Sequence, residues 1–398
     1  MNLLAYAYGF ALPFTSVLAV SGWLNLPSMI GMLVFLVLLF KGMHRFSIFD
    51  LTVFLTFVVP ALLSAVVNAH FLLEEKFITH SITYFFVFFV FYLIPKELLL
   101  NDARPVFKGL VAGLVFSMLF TYVEFSIGMV YGYEPLSFIP RFSTADYDAT
   151  YGGIVLRARS LAEESGHYAL YLGTMTPLAL AFMHGKWSNL YPKILVGMAC
   201  LAMLFTFSTS GIIFSIVSAL TASFFMKGQF DKALVRLFWI VMLCVLVYAL
   251  FLLVFDIDLT TLVTNKTEDF NGRLPQFEAS LAYFKQSDLP QIVFGLGPGY
   301  FTYRGLPSVI SLAALALFQN GLFGLLCYTV MCLSGFWRIA VFDHEHKPFL
   351  IFSLLFAILV YGGISNYWYP WLWFLFGILS AGPAIFRSRS LDAGGLGS

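Results

Sequence analysis

The stretch Arg157-Ala158-Arg159-Ser160-Leu161-Ala162-Glu163-Glu164-Ser165-Gly166-His167-Tyr168 puts two guanidiniums, two carboxylates and an imidazole just ahead of an apolar run. A guanidinium binds phosphate or pyrophosphate through a planar fork that an ammonium cannot copy. A carboxylate or imidazole beside it could take the proton from a hydroxyl. The same residues also admit a plain structural reading. Ser165 would cap the helix, Glu163 and Glu164 would favour its positive N-terminal end, and Arg157 and Arg159 would balance them. Tyr168 follows on the first turn.

A second group lies further on. Asn271-Gly272-Arg273-Leu274-Pro275 precedes a short amphipathic helix expected near 275–286, and Phe294-Gly295-Leu296-Gly297-Pro298-Gly299-Tyr300 and Arg304 follow. The glycine cluster lacks the strand and lysine of a nucleotide-phosphate loop, so it reads as a tight turn. Arg273 and Arg304 each neighbour a glycine, which lets the backbone approach a ligand. Glu124 falls in the outer third of an apolar run. A carboxylate there is either functional or the partner of an arginine dipping in from a loop. Asn366-Tyr367-Trp368-Tyr369-Pro370-Trp371 reads as an interfacial aromatic belt whose rings could also stack on sugars. No chemistry is assigned to the remaining histidines, His80 among them. The four cysteines sit in apolar runs without metal-ligand spacing, so no metal site and no cofactor is expected.

The elements that must position these groups are apolar helices. Of the 398 residues 60% are hydrophobic and 11% charged, and the mean hydropathy is +0.88. That apolar surface needs lipid as solvent. Apolar runs fall near 3–20, 26–40, 49–68, 77–95, 109–130, 167–184, 194–207, 209–226, 237–255, 308–335, 348–364 and 370–386, which predicts about twelve transmembrane helices. The pair 194–226 could instead be one broken helix at Thr206–Gly211. The fold class is therefore an all-α polytopic membrane protein, one integral domain over 1–389, with 390–398 a flexible tail or cloning scar. No cleavable signal is expected at the N-terminus. One alternating set of connections holds 14 of the 22 lysines and arginines, which places it and both termini in the cytoplasm. The long connections 131–166 and 256–307 then share the outer side, with short helices expected in them. No basic run or basic amphipathic helix suits nucleic acid.

The order of motifs resembles the O-antigen ligase/polymerase superfamily, and most of all its Wzy-type polymerases of O-antigen, capsule and exopolysaccharide. The resemblance covers roughly 155–330. It rests on Arg159…Glu164-Ser165…Ala169, Ser208-Thr209-Ser210-Gly211, Gly272-Arg273, Phe294-Gly295-Leu296-Gly297-Pro298-Gly299, and Gln319-Asn320-Gly321-Leu322-Phe323-Gly324. It implies a bacterial inner-membrane glycosyltransferase with a GT-C-like fold and an outward-facing site, working without metal or nucleotide sugar. Such an enzyme takes glycan from an undecaprenyl-pyrophosphate-linked donor and passes it to a sugar hydroxyl of another lipid-linked unit. Its partners would be that donor and acceptor, the lipid bilayer and a chain-length regulator protein. Arg159 and Arg273 match the family's pyrophosphate-binding arginines, with Arg157 and Arg304 secondary. Glu164 holds the acidic position, Glu163 competes with it, and His167 is a base or hydroxyl orienter. The ligase branch carries a late histidine in the second loop. This chain has none from Gly185 to Asp343, which favours polymerase. A transporter or flippase of lipid-linked glycans is the rival class; it would need polar or broken helices at the bilayer midplane.

Overall fold

The computed structural model describes residues 1–42, 46–132, 139–142, 150–151, 155–185, 187–188, 190–226 and 274–387. Among these the regular structure is helical apart from one antiparallel hairpin, Thr150–Tyr151 with Val155–Leu156, and an isolated antiparallel bridge between Val17 and Arg141. The described residues of the first long connection include this hairpin, and 133–138, 143–149 and 152–154 lie outside the described residues. Arg273, the apolar run 237–255 and the tail 390–398 lie outside the described residues.

The helices follow the apolar runs. They are α1 (Asn2–Ala11), α2 (Leu26–Lys41), α3 (Ile48–Val67) and α4 (Glu75–Val87), which a π-turn (Phe88–Leu93) continues into α5 (Ile94–Tyr131). Then come α6 (Ser165–Met183), α7 (Leu190–Phe205) and α8 (Thr209–Ser223). Residues 274–285 form α9, near the expected 275–286. The short helices α10 (Leu289–Phe294) and α11 (Tyr300–Tyr303) lead to α12 (Leu312–Ile339), α13 (Lys347–Tyr361), α14 (Pro370–Ala381) and α15 (Ala384–Arg387). Among the described residues three helical stretches, Ile48–Val67, Glu75–Tyr131 and Leu312–Ile339, are long and apolar enough to cross a membrane.

Local chemistry sets the boundaries. Ser47 and Asp50 form a reciprocal capping box at the start of α3. Asp102 leaves helical geometry inside α5 (φ −160°, ψ 112°), and its side chain accepts from the Arg104 amide, so the helix restarts there. At 206–208 the chain turns through Phe207 (φ 49°) and Ser208 caps α8. Residues 190–223 are therefore two helices, not one broken helix. The first run departs from expectation: α1 stops at Ala11, and Phe14–Val17 instead pack against Leu161.

α1 lies along α5 at very short range. A Cβ at Gly109 would sit 2.0 Å from the Tyr6 carbonyl oxygen, and one at Gly113 2.5 Å from that of Phe10. These glycines, one helical turn apart, let the two backbones touch.

Two polar ends bracket the apolar core. At one end the Asp50 carboxylate accepts from Lys96 Nζ and the Ser47 amide, each at 2.6 Å, and from the hydroxyls of Tyr92 and Ser380, each at 2.5 Å. This satisfied carboxylate ties α3, α5 and α14 together. The other end holds Glu124, Asn68 and the residues singled out above.

Candidate functional site

The segment before α6 is clamped from several directions. The Glu124 carboxylate accepts from the amides of Arg159 (3.1 Å) and Ser160 (2.6 Å) and pairs with Arg141 Nη1 at 2.8 Å. The arginine that dips in from the loop is thus Arg141, and Glu124 serves as an anchor. Ser160 takes φ 52° and its hydroxyl donates to the Ser117 carbonyl. The Leu161 carbonyl accepts from the Ser16 amide, and the Ala158 amide donates to Phe205. Arg159 is buried, its Nη1 donating to the Glu163 carbonyl at 3.0 Å. Arg157 is half-buried.

The helix cap differs from expectation. Glu164, not Ser165, is the N-cap of α6, and it makes no side-chain capping bond. Ser165 is buried inside the first turn instead. Glu164 is half-exposed while Glu163 is buried. Tyr168 turns into the core and its hydroxyl donates to Ser117 Oγ at 3.3 Å, so it does not join the charged group.

The residue the sequence reading missed is Tyr369. Its hydroxyl lies 2.5 Å from Glu163 Oε2 and 2.8 Å from His167 Nδ1, and Asn366 Nδ2 donates to it at 3.3 Å. The Tyr369 ring stacks on Trp371 with centroids 4.9 Å apart. Burial first, then the Glu163 carboxylate, hold the phenol well above its usual range, so it stays a proton donor.

The aromatic belt expected at 366–371 is corrected accordingly. Tyr367, Tyr369 and Trp371 are buried, and each polar atom has an internal partner. Tyr367 meets His80 Nδ1 at 3.1 Å, and Trp371 Nε1 donates to the Leu12 carbonyl at 2.8 Å. These partners replace the interfacial water that an aromatic belt relies on.

Arg304 is committed elsewhere. Nε donates to the Leu296 carbonyl (3.0 Å), Nη1 to the Tyr283 hydroxyl (2.9 Å) and Nη2 to Asn68 Oδ1 (2.6 Å), and the guanidinium lies 4.8 Å from the centre of the Phe71 ring. It locks α3 to the glycine turn. That turn needs glycines: Gly295 takes φ 93°, ψ 173°, and a Cβ there would sit 2.1 Å from the Gln319 carbonyl oxygen. Opposite it α12 breaks at Gly321 (φ 72°, ψ −169°). Gln319 Nε2 and Asn320 Oδ1 are buried at this break with no hydrogen-bond partner among the described residues.

A cavity of about 360 Å³ opens between α6, α7, α8 and α13, with a wall that is almost wholly apolar. Its upper residues, Leu172 and Gly173, start five positions after His167, about 7.5 Å of helix rise. Among the described residues no group of His, Cys, Asp and Glu is arranged to hold a metal ion.

No protein-family model matches the chain, and no curated protein sequence matches it.

Proposed function

We propose that the chain is a bacterial inner-membrane polysaccharide polymerase, a GT-C-like glycosyltransferase of about twelve spans. It would transfer glycan from undecaprenyl pyrophosphate to a sugar hydroxyl of a second lipid-linked unit. The observation that carries this reading is the gathering of Arg159, Glu163, Glu164 and His167 where α6 begins, above an apolar cavity in the same helix layer. The acceptor oxygen gives its proton to His167 or a glutamate and bonds to the anomeric carbon. The bond from that carbon to the pyrophosphate oxygen breaks, and the leaving pyrophosphate keeps the electron pair against Arg159 and Arg273. The apolar cavity offers room for part of the polyprenyl chain, deeper in the helices than their outer halves.

The test is polymer formation from purified lipid-linked repeat units in liposomes with EDTA present. Wild type should give a ladder of products, and Arg159→Ala and Arg273→Ala should each lose it by a factor of roughly 10²–10³. Folded wild type that binds the unit and never extends it would end the polymerase reading.

One observation favours a second reading, a transporter or flippase of lipid-linked glycans. The break of α12 at Gly321, beside a Gln319 Nε2 and an Asn320 Oδ1 that are buried with no hydrogen-bond partner among the described residues, has the form of a discontinuous helix at a transport site. Scrambling of a fluorescent lipid-linked glycan across liposomes, without elongation, would support it.

A further inference from the structure

We infer that Tyr369 is a positioning residue that fixes the tautomer of His167, holding the proton on Nδ1 and presenting a bare Nε2 as the base. The inference rests on the glycosyl-transfer reading above for its chemical purpose, but the hydrogen bonds that carry it stand without that reading.

A tyrosine hydroxyl has one proton to give and two lone pairs to fill. Three groups surround this one: Glu163 Oε2 at 2.5 Å, His167 Nδ1 at 2.8 Å and Asn366 Nδ2 at 3.3 Å. The Tyr369 hydroxyl donates to Glu163 Oε2, which uses its one proton. Asn366 Nδ2 donates to this oxygen and fills one lone pair. The second lone pair is left for His167, whose Nδ1 must therefore be the protonated nitrogen. The ring nitrogen that carries the proton is set by the bond its partner makes, so in the neutral imidazole, which has a single N–H, Nε2 is the bare nitrogen. It makes no hydrogen bond among the described residues.

The arrangement interposes a phenol between carboxylate and imidazole. When an acceptor hydroxyl passes its proton to Nε2, the imidazolium keeps its Nδ1–H on Tyr369, and the Glu163 charge beyond it stabilises the cation. The ring geometry limits movement: the His167 and Tyr369 centroids are 4.6 Å apart and Trp371 stacks on Tyr369.

Nitrogen-15 NMR of histidine-labelled protein in nanodiscs tests the inference directly. The chain has seven histidines, and His167→Gln assigns the signal. Wild type should show a protonated Nδ1 and an unprotonated Nε2. Tyr369→Phe keeps the ring stack, removes the hydroxyl, and should yield a mixture of tautomers. A wild-type His167 protonated on Nε2 overturns the inference, whatever becomes of the variant. So does a Tyr369→Phe spectrum with the tautomer unchanged. In the elongation assay Tyr369→Phe should lower kcat roughly 10²-fold with KM unchanged. An equal loss through KM would mark a binding role and overturn the positioning role. If no elongation occurs even in wild type, the polymerase reading fails while the NMR result still decides the tautomer.

Discussion

Glu124 shows what a single buried carboxylate does when its neighbours are all donors. It holds two consecutive amides of the site segment and the buried Arg141 guanidinium. Glu124→Gln keeps the shape but leaves Arg141 buried beside a neutral group. Breaking such a pair costs about 3–5 kcal/mol, so the variant should melt at lower temperature in detergent and expose the 157–164 segment to protease. An unchanged melt would show that Arg141 finds water or another anion. The carboxylate and its exposure to an arginine were legible in the sequence, but which arginine was not, because Arg141 lies in a loop with no periodicity. Tyr369 was harder still. Alternating Tyr and Trp residues look the same whether an interface hydrates them or distant residues satisfy them. Here the partners are 202, 287 and 359 positions away.

At the scale of elements, glycines decide how closely helices approach. Gly295 and Gly321 both adopt the region near φ +70° to +90° with ψ near 180° that essentially only glycine populates. They face each other backbone to backbone, since a Cβ at Gly321 would come within 2.2 Å of the Val293 carbonyl oxygen. Gly321→Ala should cost about 1–3 kcal/mol in strain alone. It should also push α10 from α12, which a cysteine pair spanning the two would report as lost cross-linking. Cross-linking at wild-type efficiency would argue against this packing. The hydrophobic runs disclosed nearly every helix among the described residues. The break at Asp102 falls in the gap between the runs 77–95 and 109–130; what the runs did not disclose was α1 ending at Ala11 and the break at Gly321. Apolar content sets where a helix can lie in lipid, but a break depends on a local hydrogen bond or a backbone contact that hydropathy does not register.

At the scale of the molecule, polar groups are sorted to two ends. Asp50, Lys96, Arg338 and Ser380 meet at one, while Glu124, Asn68, Glu163 and His167 lie at the other. The orientation expected from the count of basic residues would put the first end in the cytoplasm. A membrane-impermeant maleimide on intact cells should then label Leu73→Cys, whose parent residue is 96% exposed, above the unsubstituted chain. It should not label Glu345→Cys until the membrane is opened. The reverse pattern would invert the orientation and remove the outward-facing site.

The loop between α13 and α14 also sets a clock. His167 and Glu163 leave the ribosome long before Tyr369, which follows His167 by 202 residues. Until α13 is inserted and that loop folds back, the imidazole has no partner to fix its proton and the carboxylate faces no phenol. A chain still being made, or one arrested short of α14, holds Glu163 and His167 without the Tyr369 hydroxyl that bridges them. On the proposed reading, the glycosyl-transfer site is complete only once Tyr369 has reached Glu163 and His167.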